Sequence, residues 1–336
     1  MLNKKDTVCA ALLRELTGGT LPPGEFIPSR NQLMRRFHCS RTVIERAVAE
    51  LTNLGYLSGR QGKGTIVTSP ENAPGKIRKI NVVSPYEAKS FRSPFSCLLL
   101  DAADLTMPIE TIASDRADGE CETLCQLDSV SVFINPGFEQ LPLMNYLKSR
   151  RIPLIVINRE FNGFNRICTD VISGFKEGLK LLMTADDSRL SLISRTPSLN
   201  YPYQEQRLRC FYQVCAEYNL NVSPDSTLTA PFAEPQNDIA AAGKLFRNLP
   251  ARICILNSDL LLPLLQYAQN LRLQPGRDFH LLAFEYSANA AGIPGITMIR
   301  QRYGLFYQEL LRFLDLCQKP GFKEFISVIP PEVIIN

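Results

Sequence analysis

The sequence predicts an α/β protein in two unequal parts: a small helical domain at the N-terminus and a larger body of parallel sheets layered with helices. Three observations predict it. The first is length, because 336 residues exceed what one compact core organises. The second is a switch of period near residue 79, from helical spacing to short apolar runs alternating with helical stretches. The third is charge. Residues 1–79 hold 13 Lys or Arg against 6 Asp or Glu, a net of +7, and the remainder holds 24 against 27, a net of −3. A basic head on a mildly acidic body is the asymmetry expected when only one end meets phosphate.

The bulk composition, 45% apolar and 21% charged, is that of an ordinary globular chain. The longest apolar runs, such as Ile152 to Asn158, are strand-sized, so no transmembrane helix is expected. Asp6, Arg14 and Glu15 break the first segment too early for a secretion signal, which places the expected chain in the cytoplasm. The ten cysteines include Cys121-x3-Cys125 and Cys210-x4-Cys215 but no CxxC pair, and His38 and His280 lie far apart. Free thiols are therefore expected rather than a metal site.

In the head, Val8, Leu12 and Leu16 give the first helix one apolar face, ended by Gly18-Gly19. Pro22-Pro23-Gly24 makes a turn. Pro28-Ser29 starts a second helix with Leu33, Met34 and Phe37 inward and Arg30, Arg35 and Arg36 outward. His38-Cys39 is a tight turn, and Ser40 is suited to cap the next helix. There Ile44, Ala47, Val48 and Leu51 follow i, i+3, i+4, i+7 and must face the core. That leaves Arg41, Thr42, Glu45 and Arg46 on the outside, where a helix docked by its N-terminal end reaches base edges and phosphates. Arg60-Gln61-Gly62-Lys63-Gly64 is a hairpin tip whose glycines permit close approach to a groove while Lys63 meets phosphate.

These residues resemble the winged helix-turn-helix of GntR-type transcription regulators. Gly19-Thr20-Leu21, Pro23-Gly24, Pro28-Ser29, Leu33, Ser40-Arg41, Ala47, Leu51 and Gln61-Gly62-Lys63-Gly64-Thr65 follow its pattern in order and spacing over residues 6–68. The resemblance implies double-stranded DNA as partner, with contacts at Arg41, Thr42, Gln61, Gly62 and Lys63; Arg30, Ser40, Glu45, Arg46 and Gly64 complete the candidate surface. Two positions depart from the pattern. Asn31 and Glu45 stand where the family carries arginine, and a carboxylate at 45 repels phosphate but accepts from a cytosine amino group.

Thr68 to Gly75, TSPENAPG, reads as a linker. Beyond it, KINVVS, IETIAS, SVSVFINPG, PLIVIN, LSLIS, ARICILN and DFHLLAFEY are expected strands. SPFSCLLLDAADL, LMNYLKSR, ISGFKEGLKLLMTA, YQEQRLRCFYQVCAEYN and LLPLLQYAQNL are expected helices. Alternation of this kind gives parallel sheets with ligands at the carboxyl ends of the strands. There is no GxGxxG after a strand, no GxxxxGK[ST], and no defensible acid–base pair, so neither an enzyme nor a bound cofactor is expected.

The body is similar to the LacI-type effector domain and, through it, to periplasmic sugar-binding proteins. The segments that carry this are Ser93-Pro94-Phe95, Ile152 to Arg159 against the family's I-P-V-V-x-I-D-R, Asp170, Arg207-Leu208-Arg209-Cys210-Phe211, Asn257-Ser258-Asp259, Ala283-Phe284-Glu285 and Gln301. The resemblance, over residues 79–336, implies two lobes with a polar effector, a carbohydrate, between them. Lobe 1 would comprise about 79–187 and 293–318 and lobe 2 about 188–288 and 322–336, with crossings near Asp187, Gly292 and Pro320. It implies Phe95, Asn135, Arg159, Asp170, Arg207, Asp259, Glu285 and Gln301 as the effector-binding set, with Arg207 and Asp170 foremost. The whole then reads as a bacterial repressor acting as a homodimer on a palindromic operator. The alternatives are a DNA-binding head fused to a sugar-metabolising enzyme, or an architectural DNA-binding protein without effector.

Overall fold

A computed structural model describes residues 4–17, 20–53, 56–60, 64–68, 77–85, 94–102, 105, 107–126, 128–183, 189–230, 239–319 and 322–336. The head holds α1 (Lys4–Thr17), α2 (Arg30–Phe37), α3 (Arg41–Asn53) and an antiparallel hairpin of β1 (Leu57–Arg60) and β2 (Gly64–Val67). Ser29 caps α2 in a reciprocal box with Gln32, satisfying two backbone donors at the helix start. His38 ends it in the left-handed region at φ 47°, making the tight turn that a short polar side chain tolerates. Val8 and Leu12 of α1, Leu33 of α2, and Ile44, Ala47, Val48 and Leu51 of α3 close on Leu57 and Val67 of the hairpin as one core. Gly64 opens β2 at φ +113°, and a Cβ there would meet the Phe26 ring at 3.4 Å; glycine is required at that position.

The body begins with β3 (Lys79–Ser84), α4 (Pro94–Leu100), β4 (Ile109–Ala113), α5 (Cys121–Leu124), β5 (Ser129–Ile134), α6 (Leu141–Ser149), β6 (Leu154–Ile157), β7 (Asn165–Thr169) and α7 (Val171–Leu182). It continues through β8 (Ser191–Arg195), α8 (Tyr203–Glu217), β9 (Thr227–Ala230), β10 (Ala251–Ile255), α9 (Leu261–Asn270), β11 (Phe279–Phe284) and β12 (Ile296–Arg300). Last come α10 (Tyr303–Leu316), β13 (Ile326–Ile329) and β14 (Glu332–Ile335). One six-stranded sheet runs β4-β3-β5-β6-β7-β13, and the other runs β9-β8-β10-β11-β12-β14. Every pairing is parallel except β12 with β14. Each sheet carries an apolar layer on both faces, which is why β5 and β6 are buried at every position instead of alternating.

The lobes divide elsewhere than the sequence suggests. Val171, Phe175, Leu179 and Leu182 of α7 pack with Phe211, Leu282, Phe284 and Ile299 of the second lobe. The chain therefore crosses at Asp170, between β7 and α7, and Asp187 lies outside the described residues. The return falls at Gln301–Arg302, not near Gly292, because β12 lies in the second sheet and Phe306, Leu310 and Phe313 of α10 pack on the first. The third crossing falls at Pro330–Pro331, between β13 and β14; the expected crossing at Pro320 is outside the described residues. Thus 79–169 with 303–329 form lobe 1, and 171–300 with 332–336 form lobe 2. An amphipathic stripe tells a helix to bury one face but not against which sheet.

What seats α7 is its pair of glycines. A Cβ at Gly178 would lie 2.6 Å from Leu282, and one at Gly174 would lie 2.8 Å from Pro331 and 3.0 Å from Ile299. Gly178→Ala is expected to destabilise the second lobe by about 1–3 kcal/mol despite the better helix propensity of alanine, checked by denaturant unfolding. A more stable variant would show that α7 is less tightly seated.

Candidate effector cleft and nucleic-acid face

On the head, the inward four residues of α3 are buried, and Ser40, Arg41, Thr42, Glu45 and Arg46 are exposed together at its first turns. The Glu45 carboxylate accepts from Arg41 Nε at 2.8 Å, an i, i+4 pair. The acid that replaces the expected arginine is therefore directed at its own neighbour, where it orients the Arg41 guanidinium and offsets its charge. Arg30 is not fully outward. Its Nη2 donates to Thr65 Oγ1 of the wing at 3.1 Å, and burial lowers its pKa, with Glu45 opposing and Arg41 reinforcing that shift. Arg36 donates to Glu15 of α1 at 3.0 Å, while Arg35 is exposed. Gln61, Gly62 and Lys63 lie outside the described residues; Gly64 stands at the exposed start of β2.

In the body, most of the expected residues sit just past the carboxyl ends of strands: Asn135 after β5, Arg159 after β6, Asp170 after β7, Asp259 after β10, Glu285 after β11 and Gln301 after β12. Arg207, on the first turns of α8, is their centre. It is 5% exposed. Its Nη1 donates to the Leu256 carbonyl at 2.8 Å, its Nη2 bonds to Glu285 Oε1, and its guanidinium lies 4.2 Å from the Phe284 ring centroid. Gln301 joins the lobes: it accepts from Thr169 Oγ1 at 2.6 Å and donates to Glu285 Oε1 at 2.9 Å and to the Tyr303 hydroxyl at 3.0 Å.

Arg159 approaches from lobe 1. Its Nη1 donates to Asn135 Oδ1 at 3.2 Å and to the Asn158 carbonyl at 2.6 Å, while Asn158 Nδ2 donates to the same Asn135 oxygen at 2.8 Å. Burial lowers the Arg159 pKa to about 10, an effect that nearby Arg207 reinforces and that Tyr203 and Glu285 oppose. Asp259 accepts from Arg195 Nε at 3.0 Å. Asn135, Asn158 and Glu285 adopt φ of 51°, 63° and 89°. Asparagine tolerates that region, but glutamate does not favour it, so strain at Glu285 marks a position the surrounding structure over-determines.

Two of the expected residues are engaged in the structure itself. Phe95 is 1% exposed and packs against Phe306 and Tyr303, with centroids 6.2 and 6.5 Å away; it is a core residue, drawn in because α4 lies on α10. Asp170 accepts from the Ser173 N–H at 3.0 Å and caps α7, so one oxygen is already committed to the crossing. An aromatic ring that contacts both cleft arginines is Tyr203, which sequence reasoning missed. The Arg159 and Arg207 guanidinium carbons each lie 4.7 Å from its centroid. Its i, i+4 spacing from Arg207 was the available signal. Arg195 was also missed, because it ends a strand otherwise read as apolar.

Between the lobes, Asn158, Thr169, Tyr203, Gln206, Arg207, Phe284 and Gln301 line a small gap, while the side chains of Asp259 and Glu285 keep 46% and 29% exposure. The Phe138 N–H of lobe 1 donates to the Leu199 carbonyl of lobe 2 at 3.1 Å. Arg159 and Arg207 are buried in this arrangement, so a ligand reaches both only when the lobes part.

A helix-turn-helix unit with a hairpin, joined to a two-lobed α/β body with converging strand ends, defines the architecture of the chain. Residues 4–67 match the family model of bacterial regulatory proteins, gntR family, so the head is a winged helix-turn-helix of GntR type. The arabinose metabolism transcriptional repressor of Halalkalibacterium halodurans is 24% identical over 306 residues, spanning 81% of this chain and 77% of its own. The histidine utilization repressor of Pseudomonas aeruginosa is 28% identical over 109 residues, and this match spans 32% of the chain and 43% of that relative. Among solved structures, the transcriptional regulator CelR in complex with cellobiose superposes with a TM-score of 0.62 at 14% identity, over 97% of this chain and 98% of that one. A sugar-binding transcriptional regulator of the LacI family from Escherichia coli superposes with a TM-score of 0.61 at 12% identity, over 77% of this chain and 97% of that one. The body has the fold of these regulators. Among the described residues, no helix is long and apolar enough to cross a membrane.

Proposed function

We propose that this chain is a transcriptional repressor that binds operator DNA through its GntR-type head and is controlled by a small polar ligand, a sugar or sugar derivative, bound between the lobes. The observation that carries this reading is the junction of the two sites in one chain. The α3 face presents Arg41, Thr42 and Arg46 to solvent; strand ends of the two sheets carry Arg159, Asp259, Glu285 and Gln301 toward one cleft, and α8 adds Arg207. Forked guanidinium, carboxylate and amide groups suit the paired hydroxyls of a sugar, and an aromatic ring suits its apolar face. The relatives named above are transcriptional regulators, and none is described as an enzyme.

The mechanism follows from where the chain crosses. All three crossings are single strands of backbone at Asp170, Gln301–Arg302 and Pro330–Pro331, so rotation of the lobes strains few contacts. In a homodimer that rotation changes the separation of two heads on a palindromic site. The ligand must bind one lobe arrangement better than the other; a tenfold change in operator affinity requires about 1.4 kcal/mol of such difference.

The test is titration of the full-length chain onto a duplex selected from a randomised pool, with and without a panel of sugars. Two heads neutralising about eight phosphates are expected to give a log–log salt slope near −7. A sugar that both raises the melting temperature and shifts operator affinity supports the reading. A salt-independent affinity would remove the head assignment, and melting indifferent to every ligand would remove the cleft.

A further inference from the structure

One cation in the cleft has no direct carboxylate partner. Arg195 is answered by Asp259 and Arg207 by Glu285. Glu285 Oε1 accepts from both Arg207 and Gln301, and Asp170 is turned to the Ser173 N–H at the start of α7. Arg159 has no carboxylate partner among the described residues. Its hydrogen bonds run to an amide oxygen and a backbone carbonyl, its Nε is buried without an acceptor, and the residue is 6% exposed. The adjacent Glu160 is exposed and faces Cys168 Sγ at 3.9 Å. Position 158, where the family pattern I-D-R carries aspartate, holds Asn158 in this chain and supplies no charge.

A buried cation answered only by dipoles and a ring costs several kcal/mol relative to one with a counter-ion. Tyr203, lying 4.7 Å from Arg159, gives part of that back. A second unanswered group lies close by in the chain. Gln204 is 3% exposed, one turn before Arg207 on the same face of α8, and neither its Nε2 nor its Oε1 has a partner. Buried polar atoms without partners are uncommon in a finished protein and point to a missing bonding group.

We infer that the effector carries an oxyanion, a phosphate ester or a carboxylate on a sugar-sized polar body, and that this group binds Arg159 once the lobes part and the Tyr203 ring leaves the guanidinium. The inference rests on the effector reading above and sharpens its ligand class. Arg207 and Glu285 then hold hydroxyls, while Arg159 selects charge. A neutral sugar leaves Arg159 as poorly answered as before and gains little from displacing the ring.

The experiment is calorimetry and thermal melting of the full-length chain with matched sets: glucose, glucose 6-phosphate and glucuronate; ribose, ribose 5-phosphate and ribonate; and inorganic phosphate. The expected result is that at least one charged member binds ~10-fold or more tightly than its neutral counterpart, and the phosphate and carboxylate arms identify which oxyanion. Arg159→Gln is expected to weaken that binding ~10- to 100-fold, the scale of a lost charge-assisted bond. Because a buried arginine can also be needed for folding, Asn158→Asp provides the second variant. It supplies an internal counter-charge at a position whose backbone aspartate tolerates and gives up the Nδ2 donor to Asn135, so a cooperative melting curve is its control for folding, while the charged ligand should weaken about tenfold. Neutral sugars binding as tightly as their charged partners, or Asn158→Asp leaving charged-ligand affinity unchanged, would overturn the oxyanion and leave the effector reading standing. If no member of either set binds or alters operator affinity, the effector reading falls and this inference with it.

Discussion

Arg41→Ala is expected to reduce operator affinity by ~100-fold or more while leaving the melting temperature and effector binding unchanged. The magnitude has two sources. A guanidinium at a base edge or phosphate contributes about 1–3 kcal/mol, and the proposed dimer would lose it twice. The second source is Glu45. In the native head its carboxylate accepts from Arg41 Nε at 2.8 Å; without Arg41 it faces phosphate uncompensated, about 1–4 kcal/mol of repulsion at contact distance depending on the local dielectric. The double variant Arg41→Ala with Glu45→Ala should therefore bind operator better than Arg41→Ala alone. Both side chains are exposed, and the opposite face of α3, Ile44, Ala47, Val48 and Leu51, keeps the core intact. Fluorescence anisotropy at one fixed salt concentration measures all three proteins. Native affinity in Arg41→Ala would take α3 out of the groove.

That prediction could nearly be written from the sequence, because everything that fixes the head is local. Ser29 and Gln32 close a box three residues apart, His38 makes a one-residue turn, and the period of Ile44 to Leu51 decides which side of α3 is wet. What the sequence left open was the Arg41–Glu45 pair, since a carboxylate one turn from an arginine can face either its neighbour or the DNA.

The body was legible only in part, for a different reason. β3, β5, β6, β8, β10 and β11 read as strands because burial on both faces makes them rich in apolar and β-branched residues. β7, NRICT, and the half-exposed edge strands β13 and β14 carry no such run. The crossings were misplaced because they depend on which sheet a helix joins. Position along the chain was enough to put Asn135, Arg159, Asp259, Glu285 and Gln301 past the ends of strands. It was not enough to separate the rings, because Phe95 and Tyr203 both open helices and only packing distinguishes the buried one from the one that faces Arg159.

The second large effect is expected at Arg207. Arg207→Ala should abolish the response to effector and lower stability by about 2–4 kcal/mol, below the ~3–5 kcal/mol typical of breaking a fully buried pair. The discount follows from Glu285, whose side chain retains 29% exposure and keeps its bond from Gln301. The loss is nonetheless large, because the Leu256 carbonyl and the strained Glu285 backbone both lean on the guanidinium. Stability and signalling separate in the double variant. Removing Glu285 as well eliminates the orphaned carboxylate, so Arg207→Ala with Glu285→Ala should recover part of the melting temperature and none of the effector response. Arg207→Lys keeps the charge but not the fork that reaches Leu256 and Glu285 together, and is expected to respond only at much higher ligand concentration. Operator affinity without ligand should be unchanged in all three, since the α3 face is formed entirely within the head. Melting curves and operator titrations across an effector series read both quantities. A half-effective concentration in Arg207→Ala equal to that of the native chain would place the effector somewhere other than this cleft.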